Sequence, residues 1–101
     1  MLNLTTLKRV TIVAERVLES ELIHLLRETG AKGYTLIDAR GEGSRGVRAS
    51  EWAGSNIKIE VVVSAEVADA LLNSISERYF KHYAVIAYMT EVQVVRGHKY
   101  T

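Results

Sequence analysis

Apolar residues recur at every second position over residues 8–15, where Val10, Ile12 and Ala14 alternate with Arg9, Thr11 and Val13. A period of two on β-branched residues predicts a half-buried strand. The period then changes. Val17, Leu18, Leu22, Leu25 and Leu26 fall at helical spacings and Ile23 widens the stripe, which predicts an amphipathic helix. Gly30 stands where a left-handed residue would end it. A second strand is predicted over 34–40. The segment 41–55 follows, with glycines at 41, 43, 46 and 54 and no helical stripe, and it reads as a long loop. Ile57, Ile59, Val61 and Val63 alternate with Lys58, Glu60 and Val62, the cleanest strand pattern in the chain. Ser64 suits a helix N-cap, Glu66 and Asp69 suit the positive end, and Val67, Leu71, Ile75 and Tyr79 recur every four residues. Residues 84–95, rich in Val, Ile, Tyr, Ala and Thr, predict a last strand long enough to bend or to extend into a neighbouring subunit. Residues 96–101 form a tail.

The order is β-α-β-β-α-β. Right-handed crossovers put both helices on one face of a four-stranded antiparallel sheet, the α+β, ferredoxin-like plan. The other sheet face would carry Thr11, Val13, Ile37, Val62 and alternate residues of the last strand. A partly apolar surface of this kind calls for a partner, so oligomerisation is expected. The chain has 101 residues, which suits one domain over 1–101; an enzyme with a cleft between two lobes needs roughly twice that length. A ligand site is therefore expected between subunits.

With no Cys among 101 residues, disulfides, thiolate nucleophiles and Cys-ligated metals are excluded, which fits a reducing compartment. No apolar run approaches a membrane span and no leader pattern opens the sequence, so a cytoplasmic protein is expected. Thirteen Lys and Arg against 12 Asp and Glu give a formal charge of +1, too balanced for a broad duplex-binding field. Strand three lacks stacking aromatics and Phe80 falls at a helix end, which argues against RNA as well. His24, His82 and His98 show no metal-ligand spacing, and Asp38 and Glu42 are the acids nearest the loop. No metal site and no catalytic residue is expected.

The stretch 41–46 matches the dinucleotide pattern G-x-G-x-x-G and comes near the kinase form, with Val47 one residue short of that pattern's valine, but a strand rather than a helix follows it and no catalytic lobe exists. The underlying physics remains. Small residues let backbone N–H groups converge on an anion, Ser44 adds a hydroxyl, and Arg45 and Arg48 add planar donor forks. The same composition also fits a solvated hairpin loop. Trp52 suits a partner anchor or a ring folded back on its own sheet. His98 reads as a surface histidine, and Gly97 matters if something approaches its backbone.

Ala31-Lys32-Gly33-Tyr34-Thr35, Gly43-Ser44-Arg45, Val47-Arg48, Tyr79-Phe80, Tyr83-Ala84 and Gly97-His98 together resemble the PII-like signalling proteins. The chain is most similar to the branch that regulates a sodium-dependent bicarbonate transporter in carbon-concentrating bacteria. The resemblance implies a homotrimer that binds adenine nucleotides, namely cyclic AMP (cAMP), AMP, ADP and ATP, in clefts between subunits. Gly43, Ser44, Arg45 and Arg48 would meet phosphates. Thr35 and Leu36 of one subunit, with Val95 and Gly97 of a neighbour, would hold adenine and ribose. A flexible loop at about 41–55, with Arg45, Val47, Arg48, Glu51 and Trp52, would contact the membrane transporter and bring the protein to the membrane periphery.

The departures also inform. The loop lacks the Tyr that nitrogen-signalling PII proteins uridylylate, and their Gly-Asp-Gly-Lys segment is missing, so neither uridylylation nor 2-oxoglutarate sensing is expected. The Gly- and Cys-containing C-terminal extension of the bicarbonate branch is absent too, and with it the expectation of redox response and slow nucleotide hydrolysis. The implied protein is a non-catalytic sensor whose loop changes order with ligand. Its rivals are a slow ATP/ADP phosphohydrolase on the same site and an amino-acid-binding module of the ACT type.

Overall fold

The computed structural model describes residues 2–41 and 56–101. Strand β1 (Leu4–Glu15) leads through a 3-10 turn (Arg16–Leu18) into helix α1 (Glu19–Thr29), and strands β2 (Thr35–Ala39) and β3 (Asn56–Val63) precede helix α2 (Ala65–Tyr79). Strand β4 (Val85–Val95) and a 3-10 turn (Gly97–Lys99) complete the chain. The sheet order is β2-β3-β1-β4 and every pair is antiparallel. This is the predicted ferredoxin-like α+β fold.

The period-two residues form the helix-covered face. Val10, Ile12 and Ala14 of β1 face Val61, Ile59 and Ile57 of β3 in register, and all six are buried. Leu18, Leu22, Leu25 and Leu26 from the first helical segment and Ala68, Leu71, Ile75 and Tyr79 from α2 complete this core. Each large aliphatic side chain taken out of water there contributes roughly 1.5–3 kcal/mol. The helix ends behave as their chemistry dictates. Gly30 adopts φ 105°, its N–H donates to Arg27 O at 3.2 Å, and Ala31 N–H donates to Leu26 O at 3.0 Å, the paired bonds of a Schellman end. At the start of α2, Ser64 Oγ accepts from Val67 N–H at 3.2 Å.

Two expectations are corrected. Strand β1 starts at Leu4 rather than residue 8, because its first residues pair with the end of β4, Leu4 with Val95 through Leu7 with Val92. The length of β4 has the same origin, since all 11 of its residues pair with β1 of the same chain. Val17 is not part of the buried stripe: it lies in the 3-10 turn and is 66% exposed. The tighter turn rotates it off the face that Leu18 buries.

Register also fixes the second face. Successive rows across the sheet read Ile37-Lys58-Val13-Ile86, then Thr35-Glu60-Thr11-Tyr88, then Val62-Arg9-Thr90. Ile37, Ile86 and Tyr88 are exposed on it, as the sequence pattern anticipates for an unpartnered face. No helix among the described residues is long and apolar enough to cross a membrane.

Candidate functional site

The second sheet face carries a cavity of about 320 Å³. Its floor is strand: Arg9 from β1, Glu60 and Val62 from β3, and Thr35 from β2. Lys32, Gly33 and Tyr34, the link from α1 into β2, form one wall, and Lys99 and Tyr100 at the chain's end form the other.

The last wall exists because the chain turns sharply after β4. Arg96 takes the left-handed conformation, φ 62° and ψ 49°. Lys99 N–H then donates to Arg96 O and Tyr100 N–H to Gly97 O, each at 3.0 Å. Gly97 is buried, and a β-carbon there would collide with the Thr5 side chain. A residue without Cβ thus lets the turn settle against β1.

Charge in the cavity is uneven. Arg9, Lys32 and Lys99 face a single carboxylate, Glu60, which bridges to Lys58 at 3.6 Å. None of those three cations has an ion-pair partner among the described residues, and Arg9 Nε is buried without a hydrogen-bond acceptor. Unpaired cations beside a buried, unsatisfied N–H favour an anionic group. Glu60 suits a hydroxyl or amine donor on the same molecule. Beside Glu60 in register, Thr11 is 1% exposed and its Oγ1 also lacks a partner.

Of the residues expected at the site, Thr35 lines the cavity. Leu36 points to the opposite face, in register with Ile59 and packed on the core, so only its backbone remains for a ligand. Val95 pairs with Leu4 at the far end of β4 and is half exposed; neither it nor Gly97 lines the cavity. Gly43, Ser44, Arg45, Val47, Arg48, Glu51 and Trp52 lie outside the described residues. At the edge of that segment, Asp38 in β2 pairs with Arg16, which also meets Glu19 at 3.5 Å. No cluster of three potential metal ligands occurs among the described residues.

Sequence reasoning missed Arg9, Lys32, Glu60, Lys99 and Tyr100 as site residues. Arg9 and Glu60 stand out only once register sets Arg9 between Val62 and Thr90 and Glu60 between Thr35 and Thr11. The tail carried no signal, because its placement depends on the backbone of Arg96.

Comparison with known proteins decides the family. The family described as nitrogen regulatory protein P-II matches residues 7–99, nearly the whole chain. The chain belongs to the P-II family. Among solved structures, a PII-like signalling protein from Thermus thermophilus is 56% identical to this P-II chain; the match covers 98% of this chain and 99% of that one, with a TM-score of 0.85. CPII from Thiomonas intermedia, a nitrogen regulatory PII-like protein solved with ADP, AMP and bicarbonate, is 26% identical over 99% of this chain and 98% of its own, with a TM-score of 0.87. The same protein bound to ADP and bicarbonate matches over 100% of both chains at 26% identity and a TM-score of 0.88. The P-II cavity described above uses the Lys32-Gly33-Tyr34-Thr35 segment, part of the sequence on which the resemblance rested.

Proposed function

We propose that this P-II protein is a sensor of adenine nucleotides that signals by changing its affinity for a partner. The observation that carries the reading is the cavity lined by Arg9, Lys32 and Lys99, cations without ion-pair partners among the described residues, with Glu60 opposite and Tyr34 and Tyr100 beside them. An anionic, hydroxyl-bearing ligand with a flat ring satisfies all of these groups. Binding of ADP and AMP by the related CPII supports the same ligand class.

In the full assembly the ligand is AMP, ADP, ATP or cAMP, held between subunits of a homotrimer. Gly43, Ser44, Arg45 and Arg48 complete the phosphate contacts from the 41–55 loop. The same loop, with Val47, Glu51 and Trp52, meets a membrane bicarbonate transporter, so that the protein sits in the cytoplasm and reaches the membrane through its partner. Binding of bicarbonate as well as ADP by CPII supports an inorganic-carbon signal. Ligand and partner compete for one loop state, and their affinities are reciprocally coupled. The chain acts by binding and not by catalysis.

Titration calorimetry of the purified protein with AMP, ADP, ATP and cAMP tests the reading. Binding of at least one, weakened by Arg48→Ala by roughly 1.5–3 kcal/mol for a lost charge-assisted contact, is the expected result. A protein that binds amino acids and no nucleotide is instead an ACT-type module. Conversion of ATP or ADP to AMP in the presence of Mg²⁺ would establish the phosphohydrolase reading.

A further inference from the structure

At the corner between β1 and α1, two adjacent charged side chains reach to opposite edges of the sheet. Glu15 Oε2 accepts from Ala84 N–H just ahead of β4. Arg16 donates to the Asp38 carboxylate in β2 and also meets Glu19 of α1 at 3.5 Å. Since the sheet order is β2-β3-β1-β4, this one corner holds both edge strands. It does so at the end where the chain leaves β2 and returns at β3, for Ala39 pairs with Asn56 and Asn56 pairs with Glu15.

Asp38 is out of keeping with its row. Register sets it beside Ile57, Ala14 and Val85, on the helix-covered side of the sheet, where Ile57 and Ala14 are buried. Strand β2 has five residues and a strand on one side only, and of its two residues on the helix-covered side, Leu36 packs on the core and Asp38 does not. The guanidinium of Arg16 thus supplies the hold that an apolar side chain supplies elsewhere in that row. Resting on the nucleotide reading of the protein, we infer that Arg16 is a positioning residue: through Asp38 it fixes the end of β2, and with it the direction in which the chain enters the 41–55 segment assigned to ligand and partner. The size of the effect is bounded. The Asp38 side chain is 78% exposed, and an exposed ion pair shifts an equilibrium by up to about fivefold. A hold of that strength leaves the fold intact and biases a strand end that is hydrogen-bonded on one side.

Trp52, the one tryptophan of the chain, falls within 41–55, so its emission reports on that segment without any ligand. Fluorescence spectra of the wild type, Asp38→Asn, Arg16→Gln and the double variant, with calorimetric titrations of each by AMP and ADP, test the inference; urea midpoints check the fold. Each single variant is expected to shift the Trp52 emission and to weaken the nucleotide by up to about fivefold, with the double variant no worse than either single, as for two residues acting as one pair. If Arg16→Gln weakens the nucleotide and Asp38→Asn does not, Arg16 acts on the ligand directly and the inference falls. Emission and affinity equal to the wild type in Asp38→Asn overturn it as well, while the nucleotide reading stands. If the wild type binds neither nucleotide, that reading falls by itself: a shared emission shift in the two single variants still supports the positioning role, and unchanged emission overturns it.

Discussion

Gly97 lies so close to Thr5 that a β-carbon on it would overlap the Thr5 side chain near its base, where no flexible end can swing away. The contact ties the C-terminal turn to the first strand. Gly97→Ala therefore has to move either the turn or β1, at a cost of about 1–3 kcal/mol by the usual penalty for overpacking. A urea melt should show a lower midpoint with an unchanged slope. Because the displaced turn carries Lys99, the same variant should also bind ligand more weakly, although it removes no charge.

Glu15 joins the end of β1 to the start of β4. Its Oε2 accepts from Ala84 N–H at 2.6 Å, one residue before the ladder between the two strands begins. Glu15→Ala leaves that half-buried N–H without its partner, and a loss of about 1–3 kcal/mol is expected. Chemical denaturation measures it, and hydrogen exchange at Ala84 should accelerate before that at Ile86.

These two contacts mark where sequence reading succeeds and where it stops. The alternation in β1 and β3, the Gly30 and Ser64 helix ends and the composition of the second sheet face were all legible, since each follows from periodicity or from a local side-chain property. The early start of β1 was not, because residues 4–7 carry no period-two alternation and become strand only by pairing with β4, about ninety residues on by the register. The cavity was legible only at Thr35. Charged strand residues such as Arg9 and Glu60 look solvated until register supplies their neighbours, and nothing in the residue Arg announces the left-handed turn at Arg96 that brings Lys99 to them.

Tyr79 makes alkaline stability sensitive to one side chain. Burial, first, and the neighbouring Glu21 carboxylate, second, raise its pKa above the ordinary 10.0, while Arg78 opposes them. Its hydroxyl donates to Glu21 Oε1 at 3.3 Å, a bond that needs the neutral phenol. The unfolded chain loses this proton first. Stability from this group is thus intact below about pH 10 and declines as pH rises from there toward the folded pKa. Tyr79→Phe should lose the hydrogen bond at neutral pH, and its stability should fall less steeply above about pH 10 in denaturant melts taken across that range. Equal slopes for the two proteins would exclude Tyr79 as the source.

Ile37, Ile86 and Tyr88 stand exposed on the sheet face that no helix covers, with Val13 between Ile37 and Ile86 in the same row. In the proposed homotrimer the apolar part of this face, around Val13 and Ile86, is buried between subunits, away from the Lys58–Glu60 pair. Introducing a charge at Ile86, on the edge strand β4, is then far more damaging to assembly than to the chain itself, since the helix-covered core lies on the other side of the sheet. Ile86→Glu is expected to shift the protein from trimer to monomer in analytical ultracentrifugation while retaining its far-ultraviolet circular dichroism. A monomeric wild type would overturn the trimer, and a variant that sediments as the wild-type trimer would place the subunit interface elsewhere. Because the ligand cavity opens on the same face, the variant should also weaken nucleotide binding if neighbouring subunits complete the site, and leave it unchanged if one chain is sufficient.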